Sequence, residues 1–104
     1  MKQLKTSDEI NAVINSNLAL IIFKTMGCGV CNAIKDRLLT MKPNHPDIPF
    51  YEAYIEDLPL IRGEYLIFSV PTVIVFSNGK ELYRESRFVN TYKLNEFLLK
   101  IKEH

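Results

Sequence analysis

The sequence predicts an α/β fold: a central mixed sheet of four to five strands flanked by about four helices, with residues 1–104 as one domain. Three observations carry this. Residues 18–23 form an unbroken apolar run, as expected of a strand covered on both faces. Apolar residues spaced three and four apart alternate with short β-branched runs, the pattern of helices interleaved with strands. Late in the chain, Asn78-Gly79 joins two strand-like runs without an intervening helix, the signature of a tight antiparallel hairpin.

Residues 2–5 suit a short edge strand. Thr6, with Glu9 three positions later, is a capping signal that starts a helix whose apolar stripe is Ile10, Val13 and Ile14. Asn15-Ser16-Asn17 ends it, and the apolar strand follows. A second helix begins near Cys28, buries Ile34, Leu38, Leu39 and Met41, runs to about Lys42 and is stopped by Pro43 and Pro46. Residues 49–55 read as a strand with Phe50, Glu52 and Tyr54 on one face. Residues 58–68 have a helical apolar pattern at Leu60, Ile61, Tyr65 and Phe68, weakened by Gly63. Residues 72–76 and 80–85 form the hairpin, and Asn90 or Thr91 caps a last helix whose apolar face is Leu94, Phe97, Leu98 and Ile101. Phe50, Tyr51, Tyr54, Tyr65, Phe68 and Phe76 fall at element spacing and read as packing residues, and Phe88 reads as core or as a docking aromatic.

Composition narrows the function. Thirteen basic and twelve acidic residues give a net charge of +1 without a long basic run, so bulk-charge binding of nucleic acid or membrane is not expected. The opening residues are polar-rich, without the parts of a signal peptide, and the longest apolar run is too short to span a bilayer. A cytoplasmic, soluble, monomeric protein is expected. In a reducing compartment a lone cysteine pair is more often catalytic or metal-binding than a structural staple.

The two cysteines are Cys28 and Cys31, and both fall at the start of the second helix. Cys28 sits where free backbone N–H groups and the helix dipole favour a thiolate, so it is the candidate nucleophile. Cys31, one turn on and on the same face, can attack a disulfide formed on Cys28 and release a bound partner. A zinc site fails on counting. The only other strong nitrogen or sulfur ligands are His45, in a proline-bracketed loop, and His104, at the terminus. No metal is expected, and no flavin or nucleotide fingerprint is present, so the cofactor is the cysteine pair itself.

Phe23 followed by Cys28-Gly29-Val30-Cys31, then Val70-Pro71-Thr72, then Phe76-Ser77-Asn78-Gly79 give the chain, over nearly its whole length, a resemblance to the thioredoxin family. The resemblance implies a cis Pro71 facing the cysteines and a Val70 whose backbone pairs with an extended substrate, with Gly27 beside the nucleophile. It implies a thiol–disulfide oxidoreductase, working as a disulfide reductase on client proteins and recharged by a separate reductase.

Several family positions differ. Gly27 replaces a usual Trp and Val30 a usual Pro, which reduces the aromatic docking surface. Ile22 stands in place of the family's buried acid, and Glu52 in place of a partner Lys. Glu52 is therefore the candidate proton acceptor beneath Cys31, with a pKa expected to be raised by desolvation; the alternative is an exposed strand residue. Lys24 replaces another Trp, and Arg87 a Gly lining the substrate groove; both are candidate contacts for an anionic substrate. Two alternatives accompany the reductase reading. One is a redox sensor or binding module. The other is a reductase of small-thiol mixed disulfides, using Arg87 and Lys24.

Overall fold

A computed structural model describes residues 1–101. In chain order it contains β1 (Lys2–Gln3), α1 (Ser7–Ile14), β2 (Ala19–Lys24), α2 (Gly29–Met41), β3 (Phe50–Tyr54), α3 (Pro59–Glu64), β4 (Thr72–Ser77), β5 (Lys80–Ser86) and α4 (Thr91–Ile101). Short 3₁₀ turns at Lys42–Asn44 and Ile55–Asp57 follow α2 and β3. The order is the one expected. The sheet runs β1-β3-β2-β4-β5, parallel across β1, β3 and β2 and antiparallel across β2, β4 and β5.

Each element has a local cause. Thr6 caps α1, its hydroxyl accepting the Glu9 N–H at 3.1 Å, as the sequence signal implied. All six residues of β2 are buried, because the strand is central and both faces are covered. Its odd-numbered side chains, Ile21 and Phe23, pack with Ile10, Ile14 and Ile61 of α1 and α3. Its even-numbered ones, Leu20 and Ile22, pack with Ile34, Leu38, Leu94 and Leu98 of α2 and α4. The result is a three-layer sandwich with one cluster on each side of the sheet. His45, buried and within 2.6 Å of Asn95 Oδ1, joins the turn after α2 to α4.

Some expectations need correction. The strand expected at residues 2–5 is only Lys2–Gln3. Leu4 leaves the ladder to enter the core, although its N–H still reaches the Glu52 carbonyl at 2.8 Å. Leu39 is 42% exposed, since the buried face of α2 passes through Cys31, Ile34, Leu38 and Met41. The helical pattern expected over 58–68 collapses to six residues, ended by Leu66 at φ 55°. Ile61, Leu58 and Ile67 are its core residues, while Leu60 and Phe68 are 75% and 71% exposed.

The two edges of the sheet are unlike its centre. β1 is two residues long, and β5 is exposed, rich in charge and irregularly registered opposite Val75 and Phe76. The β4–β5 turn places Asn78 at φ 51° and Gly79 at φ 83°, the left-handed pair a tight hairpin needs. That turn also closes on the loop after α1, with the Gly79 N–H on the Ile14 carbonyl at 2.9 Å. A Cβ at Gly79 would lie 2.9 Å from Asn15 Oδ1. Gly79→Ala is therefore expected to cost about 1–2 kcal/mol, whereas Gly63→Ala, in open space on α3, should stabilise by about 0.5–1 kcal/mol. Denaturant midpoints of the two variants check the contrast; equal midpoints would remove the turn argument.

Candidate functional site

The site lies where β2 leaves the sheet. After Lys24 the chain turns through Thr25, Met26 and Gly27, with Gly27 at φ 73°, a left-handed conformation suited to glycine. The Met26 N–H donates to a Glu56 carboxylate oxygen at 3.0 Å, which fixes this turn to the segment after β3. Cys28 then caps α2: its Sγ accepts the Cys31 N–H at 3.1 Å. A sulfur held by an N-terminal helix N–H is electrostatically favoured as an anion. Cys28 and Cys31 are joined as a disulfide, with Cα atoms 5.2 Å apart. Cys28 is partly exposed and Cys31 fully buried, so only one residue of the pair reaches solvent.

Val70–Pro71 is cis, as the resemblance implied. Thr72 follows it and pairs with Phe23 of β2, so the proline loop meets the sheet at the end from which the cysteines emerge. Thr72 is buried and its hydroxyl bonds both ends of the neighbourhood, donating to the Ser69 carbonyl at 2.7 Å with the Ser86 hydroxyl at 2.8 Å. Arg87 donates its backbone N–H to the Pro71 carbonyl at 2.7 Å. It does so at φ 66°, in the left-handed backbone region that favours glycine. Arg87 and Phe88 also share a depression with Val30 of α2. Cys28, Val30, Val70, Pro71 and Arg87 thus belong to one end of the molecule.

Phe88 is 89% exposed, which corrects the core assignment, and Val30 is 58% exposed. Exposed apolar side chains therefore remain in the depression that begins two residues after Cys28, even without the two replaced aromatic and proline positions.

Glu52 is buried, so the exposed-strand alternative is corrected. It lies on β3 beside Ile22 of β2, and its carboxylate bonds Lys24 Nζ at 3.1 Å and Lys35 Nζ at 2.5 Å. The expected upward shift in its pKa is corrected as well. Burial pushes the carboxyl up, but the ammonium groups of Lys35 and Lys24 outweigh it and hold the group below the ordinary carboxylate range. Lys24 is itself 3% exposed, with its ammonium 5.0 Å from the centre of the Tyr54 ring. It is spent on Glu52 and is not available to an anionic substrate. Lys35 was not foreseen; its one signal in the sequence is its position four residues after Cys31, on the same helix face. Thr72 and Glu56 were also missed, since their roles depend on backbone groups brought from other elements. Among the described residues no three His, Cys, Asp or Glu side chains converge as a metal-binding group, and His104 lies outside those residues.

A helix-capping cysteine bonded to a buried one, beside a cis-proline loop on a mixed sheet, is the arrangement of dithiol–disulfide proteins. The chain belongs to the thioredoxin family, whose model, described as Thioredoxin, matches residues 2–102. It is similar to a thioredoxin-like protein, YdfQ, of Bacillus subtilis, at 28% identity covering 88% of this chain and 81% of that one. It is also similar to a thioredoxin of Chlamydia trachomatis, at 30% identity covering 81% and 82%. Among solved structures, Fasciola hepatica thioredoxin superposes with a TM-score of 0.83 at 24% identity, covering 96% of this chain and 98% of that one. These likenesses make the chain a redox protein with a Cys-x-x-Cys pair, and at this identity the solved structure speaks for the fold alone.

The buried charges make a stability prediction. Because the folded pKa of Glu52 is depressed, its contribution is fully present above the unfolded value near 4.5 and is lost as pH falls through the lower folded value. Glu52→Gln, which leaves the Lys24 ammonium buried without a counter-charge, should cost about 3 kcal/mol at neutral pH. The gap between wild type and variant should close as pH falls below about 4. Chemical denaturation from pH 7 downward checks both, and a gap independent of pH would refute the depressed pKa.

Proposed function

We propose that the chain is a thiol–disulfide oxidoreductase working as a reductase of protein disulfides in the cytoplasm. The observation that carries this reading is the asymmetry of the pair: a partly exposed Cys28 at a helix N-cap, bonded to a fully buried Cys31. In the reduced form the Cys28 thiolate attacks a client disulfide, forming a mixed disulfide and releasing one client thiolate. Cys31 then attacks the Cys28 sulfur, the client leaves as a dithiol, and the chain holds the internal disulfide. Thioredoxins use their cysteine pair without a further cofactor, and a separate reductase returns the two electrons.

The backbone N–H and C=O of Val70 are the groups that hold an extended client segment against the pair, as a short added strand. Gly27 leaves the approach to Cys28 open, since nothing lies within 4 Å of where a Cβ would stand. Glu52, in this reading, is not the proton acceptor. It holds Lys24 and Lys35, and two ammonium groups against one carboxylate leave a cationic excess on the α2 side of the sheet. With Lys24 engaged, the small-thiol reading loses one of the two cations that motivated it.

The test is kinetic and thermodynamic together. Cys31→Ser should accumulate a stable mixed disulfide with a model client, and Cys28→Ser should abolish turnover. The wild-type pair should equilibrate with a dithiol buffer below about −230 mV and be recharged by a thioredoxin reductase. Turnover surviving in Cys28→Ser would refute the assignment. A markedly more oxidising pair with no turnover would leave a sensor as the better reading.

A further inference from the structure

A trough runs away from the pair along the cleft between α2 and α4. Its near part, about 370 Å³, starts at Val30 and is lined by Arg87 and Phe88. Its far part, about 650 Å³, continues past Thr40 to Tyr92 and Asn95. The two parts share Arg37, Val89 and Asn90, so they form one continuous depression with Arg37 at the junction.

The charge in this trough is one-sided. No Asp or Glu lines either part. Arg37 and Arg87 are both exposed, and among the described residues neither guanidinium has an ion-pair or hydrogen-bond partner. The third arginine near β5, Arg84, is different: Glu81 and the Tyr65 and Leu66 carbonyls occupy it. Phe88 and Tyr92, four residues apart and 89% and 87% exposed, stand along the same trough as large uncovered rings. One carboxylate borders the trough, that of Glu85, and it is held by the Asn90 N–H and the Tyr83 hydroxyl. The two free guanidinium groups and two open aromatics that line the trough are complementary to an acidic chain.

We propose that this trough binds an acidic segment of the client protein, next to the cysteine under attack, and so selects clients by charge. This rests on the reductase reading above. Arg37 lies nine residues beyond Cys28, about 14 Å along the helix, a span covered by about four extended residues. The occupant is therefore a protein segment with a carboxylate close to its cysteine, met by Arg87, or about four residues away, met by Arg37. Binding changes no bond; it raises the rate at which the Cys28 thiolate attacks one sulfur of the client disulfide, bonding to it and releasing the other as thiolate.

The experiment uses the Cys31→Ser chain and single-cysteine peptides activated as aromatic mixed disulfides, with Glu, Gln or Lys about four residues to either side of the cysteine. Release of the aromatic thiolate reports the rate. The Glu peptide is expected to react about 10-fold faster than the Gln peptide at low salt, the Lys peptide more slowly than either, with the differences shrinking at high salt. In Arg37→Gln/Arg87→Gly the Glu-to-Gln ratio should fall below about 2, while in Arg62→Gln, an exposed arginine on α3, it should persist. Equal rates in the parent chain, a ratio retained in the double variant, or one lost in Arg62→Gln would overturn the proposal while leaving the reductase reading intact. An equal arginine dependence with oxidised glutathione would also overturn it, in favour of a small-thiol substrate. No reaction of Cys28 with any peptide would refute the reductase reading and this proposal with it.

Discussion

Burial of β2 on both faces is the constraint from which the rest follows. A strand that is apolar from Ala19 to Phe23 must sit between two layers of helices, and both hydrophobic clusters are arranged around it. It leaves the sheet only at its end, where the chain must turn sharply and start a helix. That is where backbone N–H groups are unpaired, and where a sulfur gains most from being negative. Reactive chemistry at this point is thus a consequence of packing in the middle of the sheet.

The same constraint creates an electrostatic problem that the chain solves locally. The last residue of β2 is Lys24, carried into the interior by the strand that holds it. A lone buried ammonium is expensive, so a carboxylate must come from the neighbouring strand, and a carboxylate so placed draws in a second cation from the helix above. Glu52 and Lys35 answer these two demands. The charged set also ties the cysteine-bearing helix α2 to the paired strands β2 and β3, adding ion pairs to the apolar contacts beneath that helix.

What could be read from the sequence divides along the same line. Features encoded within one element were legible: the apolar run of β2, the Thr6 cap, the Asn-Gly turn and the cysteine pair at a helix start. The cis peptide at Pro71 came from the family resemblance and not from local pattern. Features made by side chains of different elements were not legible. The direction of the Glu52 shift depended on Lys35 arriving from α2, which spacing alone does not reveal. Phe68 and Leu39 were read as packing residues, and Phe88 as core or a docking aromatic, because apolar character was taken for burial, yet two loops and the outer face of α2 leave all three exposed. The helix at Pro59–Glu64 was overextended because apolar spacing continued past the residue where the backbone turns left-handed.

The unlike edges of the sheet bear on how such a protein survives its own surface. A protein that meets partners through uncovered apolar side chains risks meeting copies of itself by the same means. Here the outer strands offer little for a second chain to continue: one is too short to template a ladder, and the other is broken in register and set with alternating charges. The most exposed apolar side chains, Met26, Leu60, Phe68, Phe88 and Tyr92, stand on helices and loops and not on the strands. The sheet edges stay poor substrates for fibrous association, so the molecule can remain adhesive on its helices and loops while its strand edges stay inert.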